Sequence, residues 1–228
     1  MKTLAVDIDG TITENGKGRI HLGAVWALRY LTRLGHRVIY VTGRSSVEGY
    51  LLAVFGGTTR ISVGENGGCI TTGPQEHRLL GDIEVCKRAR DVISAQVDGV
   101  VEKPVFPRMT EVVLERTFDL GMAREIIQRN KLKVTLSDSL YAFHINSENI
   151  NKRAGLEYIM KEYSIRRSDV IAIGDSETDI HMFEAAGTSI ALGNASSAVQ
   201  DRADITVKQK SGDGVIEALD MLSLETVT

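Results

Sequence analysis

Two rhythms of apolar positions alternate along this chain. Leu4-Ala5-Val6 and Val38-Ile39-Tyr40-Val41 are apolar on consecutive residues, as in strands covered on both faces. Between them Leu22, Val25, Trp26, Tyr30, Leu31 and Leu34 recur at helical spacing until Gly35, and this stripe is expected to face the core. A second helix is expected at Ser45, which forms a capping-box pair with Glu48; it continues through Val47, Tyr50, Leu51 and Val54 to Gly56-Gly57. Residues 170–173 read as another covered strand, followed by a helix from about 177 to 186 and by strands at 189–192 and 204–207. Strand–helix alternation of this kind predicts an α/β fold built on a doubly wound, mostly parallel sheet.

The rhythm changes between about residues 79 and 147. Leu132, Val134 and Leu136, then Tyr141, Phe143 and Ile145, alternate with polar neighbours, and Ser137-Asp138-Ser139 between them reads as a hairpin turn. Two amphipathic helices fit around this hairpin, one carrying Cys86, Ala89, Ile93 and Val97, the other Met122, Ile126 and Ile127. Pro104 and Pro107 mark an irregular connection. The expected organisation is an α/β core of residues 1–78 and 148–228, interrupted by a small antiparallel α+β cap at 79–147 with one sheet face left open.

Composition changes this picture little. The 228 residues are 43% hydrophobic and 25% charged, as in an ordinary globular protein, and the net charge of −3 gives no basic footprint for nucleic acid or an anionic membrane. Asp7 cuts short the opening apolar stretch before it could form a signal peptide, and no apolar run approaches the ~20 residues of a membrane span. Cys69 and Cys86 have no metal-like spacing and read as reduced thiols of a cytoplasmic protein.

The candidate chemistry gathers at predicted strand ends. Asp7-Ile8-Asp9-Gly10-Thr11 follows the first strand, where residues two apart share a side, so two carboxylates are expected close together. A divalent cation would relieve their repulsion, and carboxylates with water suit Mg²⁺; a turn punctuated by Asp and Gly explains the same residues without chemistry. Thr42-Gly43-Arg44 offers a hydroxyl and free amides where a phosphate would bind beside a helix start. Gly174-Asp175-Ser176-Glu177-Thr178-Asp179 brings further acids to a sheet edge, although Ser176, Glu177 and Asp179 also serve as helix-start residues. Lys152 falls at a predicted helix start, an unfavourable place for a cation unless an anion lies in front of it.

Taken in order, these segments resemble the four short motifs of the haloacid dehalogenase-like phosphatases: Asp7-Ile8-Asp9-Gly10-Thr11, Thr42-Gly43-Arg44, Lys152, and Gly174-Asp175 with Asp179. The resemblance runs from Met1 to about Leu219, includes Glu65-Asn66-Gly67-Gly68 and Gly212-Asp213-Gly214-Val215, and is greatest with the archaeal phosphoglycolate phosphatases, whose cap also lies between the second and third motifs. It implies that Asp7 is the nucleophile and Asp9 the general acid and base. Thr42, Gly43, Arg44 and Lys152 would then bind the phosphate ester. Mg²⁺ would be held by Asp7, the backbone carbonyl of Asp9, and Asp175, with Asp179 contributing directly or through a neighbour.

The implied partner is a small phosphorylated metabolite, with 2-phosphoglycolate leading. Its carboxylate calls for a cation, for which Arg44 is the first choice beside Arg108 and His144. A sugar-phosphate phosphatase or a phosphomutase of the same fold are the alternatives. A phospho-acceptor signalling module fits less well, because of the chain length, the Asp7/Asp9 pair and the inserted segment. Oligomeric state is not readable.

Overall fold

Strands that are apolar on consecutive residues need cover on both faces, and the fold supplies it. The computed structural model describes residues 1–14, 18–139 and 141–224. In chain order the first part runs β1 (Thr3–Val6), α1 (Leu22–Arg33), β2 (Arg37–Val41), α2 (Ser46–Gly56), β3 (Ser62–Gly64), β4 (Cys69–Gly73) and β5 (Glu76–Leu79). The middle runs α3 (Ile83–Ser94), β6 (Glu111–Leu114), α4 (Leu120–Arg129), β7 (Val134–Asp138) and β8 (Phe143–Ser147). The last part runs α5 (Lys152–Glu162), β9 (Val170–Gly174), α6 (Ile180–Ala185), β10 (Thr188–Ala191), α7 (Ser197–Gln200), β11 (Ile205–Thr206) and α8 (Ser211–Leu222).

One eight-stranded sheet has the order β11-β10-β9-β1-β2-β3-β4-β5. It is parallel from β11 to β3, and β4 and β5 extend it antiparallel. Leu4 and Val6 of β1 point into a core shared with Leu28 of α1 and Val215 of α8. Ala5 points the other way, toward Leu156 and Ile159 of α5 and Met182 and Phe183 of α6. This alternation places the carboxyl ends of β2, β1, β9 and β10 side by side, where open α/β sheets bind ligands.

The apolar stripe expected of α1 is corrected here. Val25, Leu31 and Leu34 of that stripe do pack on the core, but Leu22, Trp26 and Tyr30 are 80%, 66% and 49% exposed, and Ala24 and Leu28 take their place. The helix carries two apolar stripes, and the smaller residues lie against the closely approaching sheet while Trp26 stacks on Tyr30 outside. The hairpin turn is also displaced. Ser137 and Asp138 pair within β7, opposite His144 and Phe143, and the reversal is closed by the Ser139 amide donating to the Ala142 carbonyl at 3.0 Å. Residues 177–186 begin as a 3₁₀ turn at Glu177–Asp179 before α6.

A second, three-stranded antiparallel sheet has the order β6-β8-β7. Val112, Leu114, Phe143 and Ile145 pack on Cys86, Ala89 and Ile93 of α3 and on Ala123, Ile126 and Ile127 of α4. Alternation turns Glu111, His144 and Asn146 to the opposite face, where Asn146 Nδ2 donates to the Glu65 carbonyl of the large sheet's loop at 3.3 Å. Glu65, Asn66 and Gly67 have φ of 55°, 53° and 100°. A Cβ on Gly67 would lie 1.9 Å from the Asn151 carbonyl oxygen, so only glycine lets the start of α5 come this near. Cys69 and Cys86 are free and buried, and burial pushes both thiols up to about 11. No helix among the described residues is long and apolar enough to cross a membrane.

Candidate active site

Asp7 is the last residue tied to the sheet beyond β1, through its amide to the Ile173 carbonyl at 3.0 Å. The chain then coils, with the Thr11, Ile12 and Thr13 amides all returning to the Ile8 carbonyl and Gly10 at φ 80°. Strand alternation therefore stops governing direction between Asp7 and Asp9. Asp7 is 4% exposed, whereas the Asp9 side chain is 52% exposed and turns to Arg44.

Lys152, the first residue of α5, is 2% exposed. Its Nζ donates to Asp7 Oδ1 and Asp179 Oδ1 at 2.6 Å each. Asp7 Oδ2 receives no hydrogen bond from the described residues. Burial alone would push the ammonium down, but Asp179 and Asp7 override it and hold Lys152 above its ordinary value. Burial, then repulsion from Asp179, push Asp7 well above the carboxylate range, with Lys152 pulling the other way.

Asp179 Oδ2 accepts from the Asp175 and Ser176 amides and the Ser176 hydroxyl. With Lys152 on Oδ1, Asp179 fixes the loop that presents Asp175. Asp175 in turn accepts from Thr11 Oγ1 at 3.0 Å and Asn194 Nδ2 at 2.7 Å. Asn194 was not among the sequence candidates, yet it also reaches the Gly10 carbonyl at 2.9 Å and so ties the first motif to the last. Its only local signal is a Gly-Asn step just after a strand.

The Thr42-Gly43-Arg44 loop leaves β2, with the Thr42 amide on the Val63 carbonyl at 2.8 Å and Thr42 Oγ1 accepting from the Arg44 amide. Arg44 is engaged with two carboxylates. Its Nε and Nη2 fork onto Asp9 at 2.8 Å each, and its Nη1 meets Glu48 at 2.9 Å. His144 is likewise engaged, between Glu111 at 3.1 Å and Ser139 at 3.0 Å. Glu65, buried beneath this loop, accepts from the Met109 and Thr110 amides and the Thr110 hydroxyl.

A family model described as haloacid dehalogenase-like hydrolase matches residues 4–83 and 113–219, which contain all four motifs. The chain belongs to this family. Among the hydrolases it resembles is one named phosphoglycolate phosphatase from Nitrosopumilus maritimus (strain SCM1), 61% identical over 97% of this chain and 96% of the relative. Another protein of that name, from Archaeoglobus fulgidus, is 36% identical over 98% and 97%. A crystal structure from Thermoplasma acidophilum superposes with a TM-score of 0.86 at 18% identity, covering 97% of both chains. A sugar phosphatase of subclass IIB gives 0.79 at 18% identity over 97% and 99%; these two likenesses establish the fold.

The donor set of this hydrolase fits a divalent metal. Carboxylate oxygens of Asp7, Asp175 and Asp179 all lie within 4.8 Å of one another, and three carboxylates face the single ammonium of Lys152. Burial first, then Asp179, push Asp175 up to about 7. A carboxyl with a raised pKa binds a proton on folding, so without metal the fold loses stability as pH rises from the ordinary carboxylate value toward about 7. A metal held by these carboxylates would expel that proton. Mg²⁺ should therefore raise the melting temperature of chelator-stripped protein more at about pH 8 than at about pH 5.5, because protons compete for the ligands. Equal stabilisation at both pH values, measured by differential scanning fluorimetry, would count against the metal reading.

Proposed function

We propose that this hydrolase is a Mg²⁺-dependent phosphatase that moves the phosphoryl group of 2-phosphoglycolate onto Asp7 and then hydrolyses the acyl-phosphate. The observation that carries this reading is the buried Asp7 carboxylate at the sheet's carboxyl edge. Lys152 occupies one oxygen, and the other has no donor among the described residues. The names of the relatives at 61% and 36% identity support the substrate.

Asp7 Oδ2 attacks phosphorus as the bond to the leaving oxygen breaks, and Asp9 gives that oxygen its proton. Asp9 then takes a proton from water, which attacks the phosphorus and restores Asp7. Before substrate binds, Arg44 holds Asp9 as a carboxylate; the half-exposed pair parts at small cost, and Asp9 then takes from solvent the proton it gives to the leaving oxygen. Thr42, the Gly43 amide and Lys152 bind the phosphoryl oxygens. Bound by Asp7, Asp175 and the Asp9 carbonyl, with Asp179 in support, Mg²⁺ would supply neutralisation of the phosphate charge. Residues 79–147 serve as a cap that keeps water from the site. Free, buried Cys69 and Cys86 support a cytoplasmic setting.

The test is phosphate release across a panel of phosphorylated metabolites. The kcat/KM for 2-phosphoglycolate should exceed that for hexose phosphates by about tenfold or more. The reverse order would move the substrate to sugar phosphates, and no release of phosphate from any ester would overturn the phosphatase reading.

A further inference from the structure

Arg108 lies in the connection before β6, on the side of the cap that faces the large sheet. Its side chain is 10% exposed, and its Nη1 donates to the Gly43 carbonyl at 3.1 Å, which puts a guanidinium directly on the loop carrying Thr42. Its Nε is buried with no partner among the described residues. The nearest carboxylate, Glu111, is 3.5 Å from Nη1, too long for a good hydrogen bond. Glu111 directs its other oxygen to Asn66, His144 and Asn146. Arg44, the other cation on this loop, is used by Asp9 and Glu48. A buried N–H without an acceptor is costly in a finished fold and draws attention to an acceptor the protein itself does not supply.

We propose that Arg108 is the specificity-determining residue of this enzyme, receiving the leaving group's carboxylate on Nε and a terminal N–H. A planar guanidinium meets a carboxylate with two parallel hydrogen bonds, a geometry lysine cannot reproduce. The anchor on Gly43 holds this guanidinium beside the loop that carries Thr42, as a short ester with two anionic ends would require. The proposal rests on the substrate reading above and names the group that enforces it.

The experiment compares 2-phosphoglycolate with 2-hydroxyethyl phosphate, which replaces the acid by an alcohol and keeps the carbon count. The measured quantity is the ratio of their kcat/KM values in wild type, Arg108→Ala and Arg108→Lys. Arg108→Ala should lower that ratio by about 100-fold, chiefly through KM for phosphoglycolate, and Arg108→Lys by about tenfold. The neutral ester reports whether each variant is folded. If Arg108→Ala does not fold, the lysine variant, which keeps the charge on Gly43, carries the test. A wild type that prefers the acid, with a variant ratio within about threefold of it, overturns the inference alone. A wild type with no preference overturns the substrate reading and this inference with it.

Discussion

Asp7→Asn is expected to lower phosphate release by at least about 10⁴-fold, the scale of loss when a nucleophile is removed, while the protein keeps its fold. The amide has the same shape but cannot form the acyl-phosphate. Lys152 keeps the Asp179 carboxylate as its counter-ion in this variant, so the buried ammonium is not left unpaired. The variant should melt within a few degrees of wild type in chelator, and no hydroxylamine-sensitive phosphoenzyme should be trapped from it. Phosphate release within about tenfold of wild type would remove Asp7 from the nucleophile's role.

Lys152→Met should have the opposite profile and damage the fold itself. Methionine approximates the length of lysine but leaves Asp7 and Asp179, both almost fully buried, facing each other without a cation. Breaking a buried ion pair from one side costs about 3–5 kcal/mol, which for a domain of this size corresponds to roughly 10 °C in melting temperature. The double variant Asp7→Asn with Lys152→Met should recover at least about 1 kcal/mol of that loss, because one of the two stranded carboxylates is gone. A single variant that melts like wild type, or a double variant that merely adds the two losses, would show that the three groups do not act as one charge network.

These expectations were legible in the sequence where chemistry and local pattern coincide. Asp7, Thr42 and Asp175 each follow a strand that could be recognised from consecutive apolar residues, and the parallel fold then brings those strand ends together. The placement of Lys152 could be argued because a cation at a helix start needs an anion, and Asp7 and Asp179 are those anions. Ser45 and Glu48 form the capping box their spacing implies.

What was not legible depends on long-range packing. In α1 two apolar stripes compete, and only the sheet's approach selects Ala24 and Leu28 over Trp26. β3, β4 and β5 are short, and β5 is fully exposed, so no apolar rhythm announces them. Arg44 could be recognised as a loop cation, but not that Asp9 would take its Nε and Nη2, since that contact needs the coil after Ile8. Asn194 joins Gly10 across 184 positions of sequence, a pairing that local spacing does not encode.

The strand order also sets the sequence of events as the chain leaves the ribosome. β1 ends up between β2 and β9, but β9 is made only after every element of the smaller sheet. Until then the central strand has one open edge and both main cores lack a wall, whereas β6, β7 and β8 find all their partners within one contiguous stretch. The bonds from Lys152 to Asp7 and from Thr11 to Asp175 join positions 145 and 164 apart, separations of the kind that slow folding. Competence for turnover is thus the last property this polypeptide acquires during its synthesis, after the smaller sheet has already taken shape.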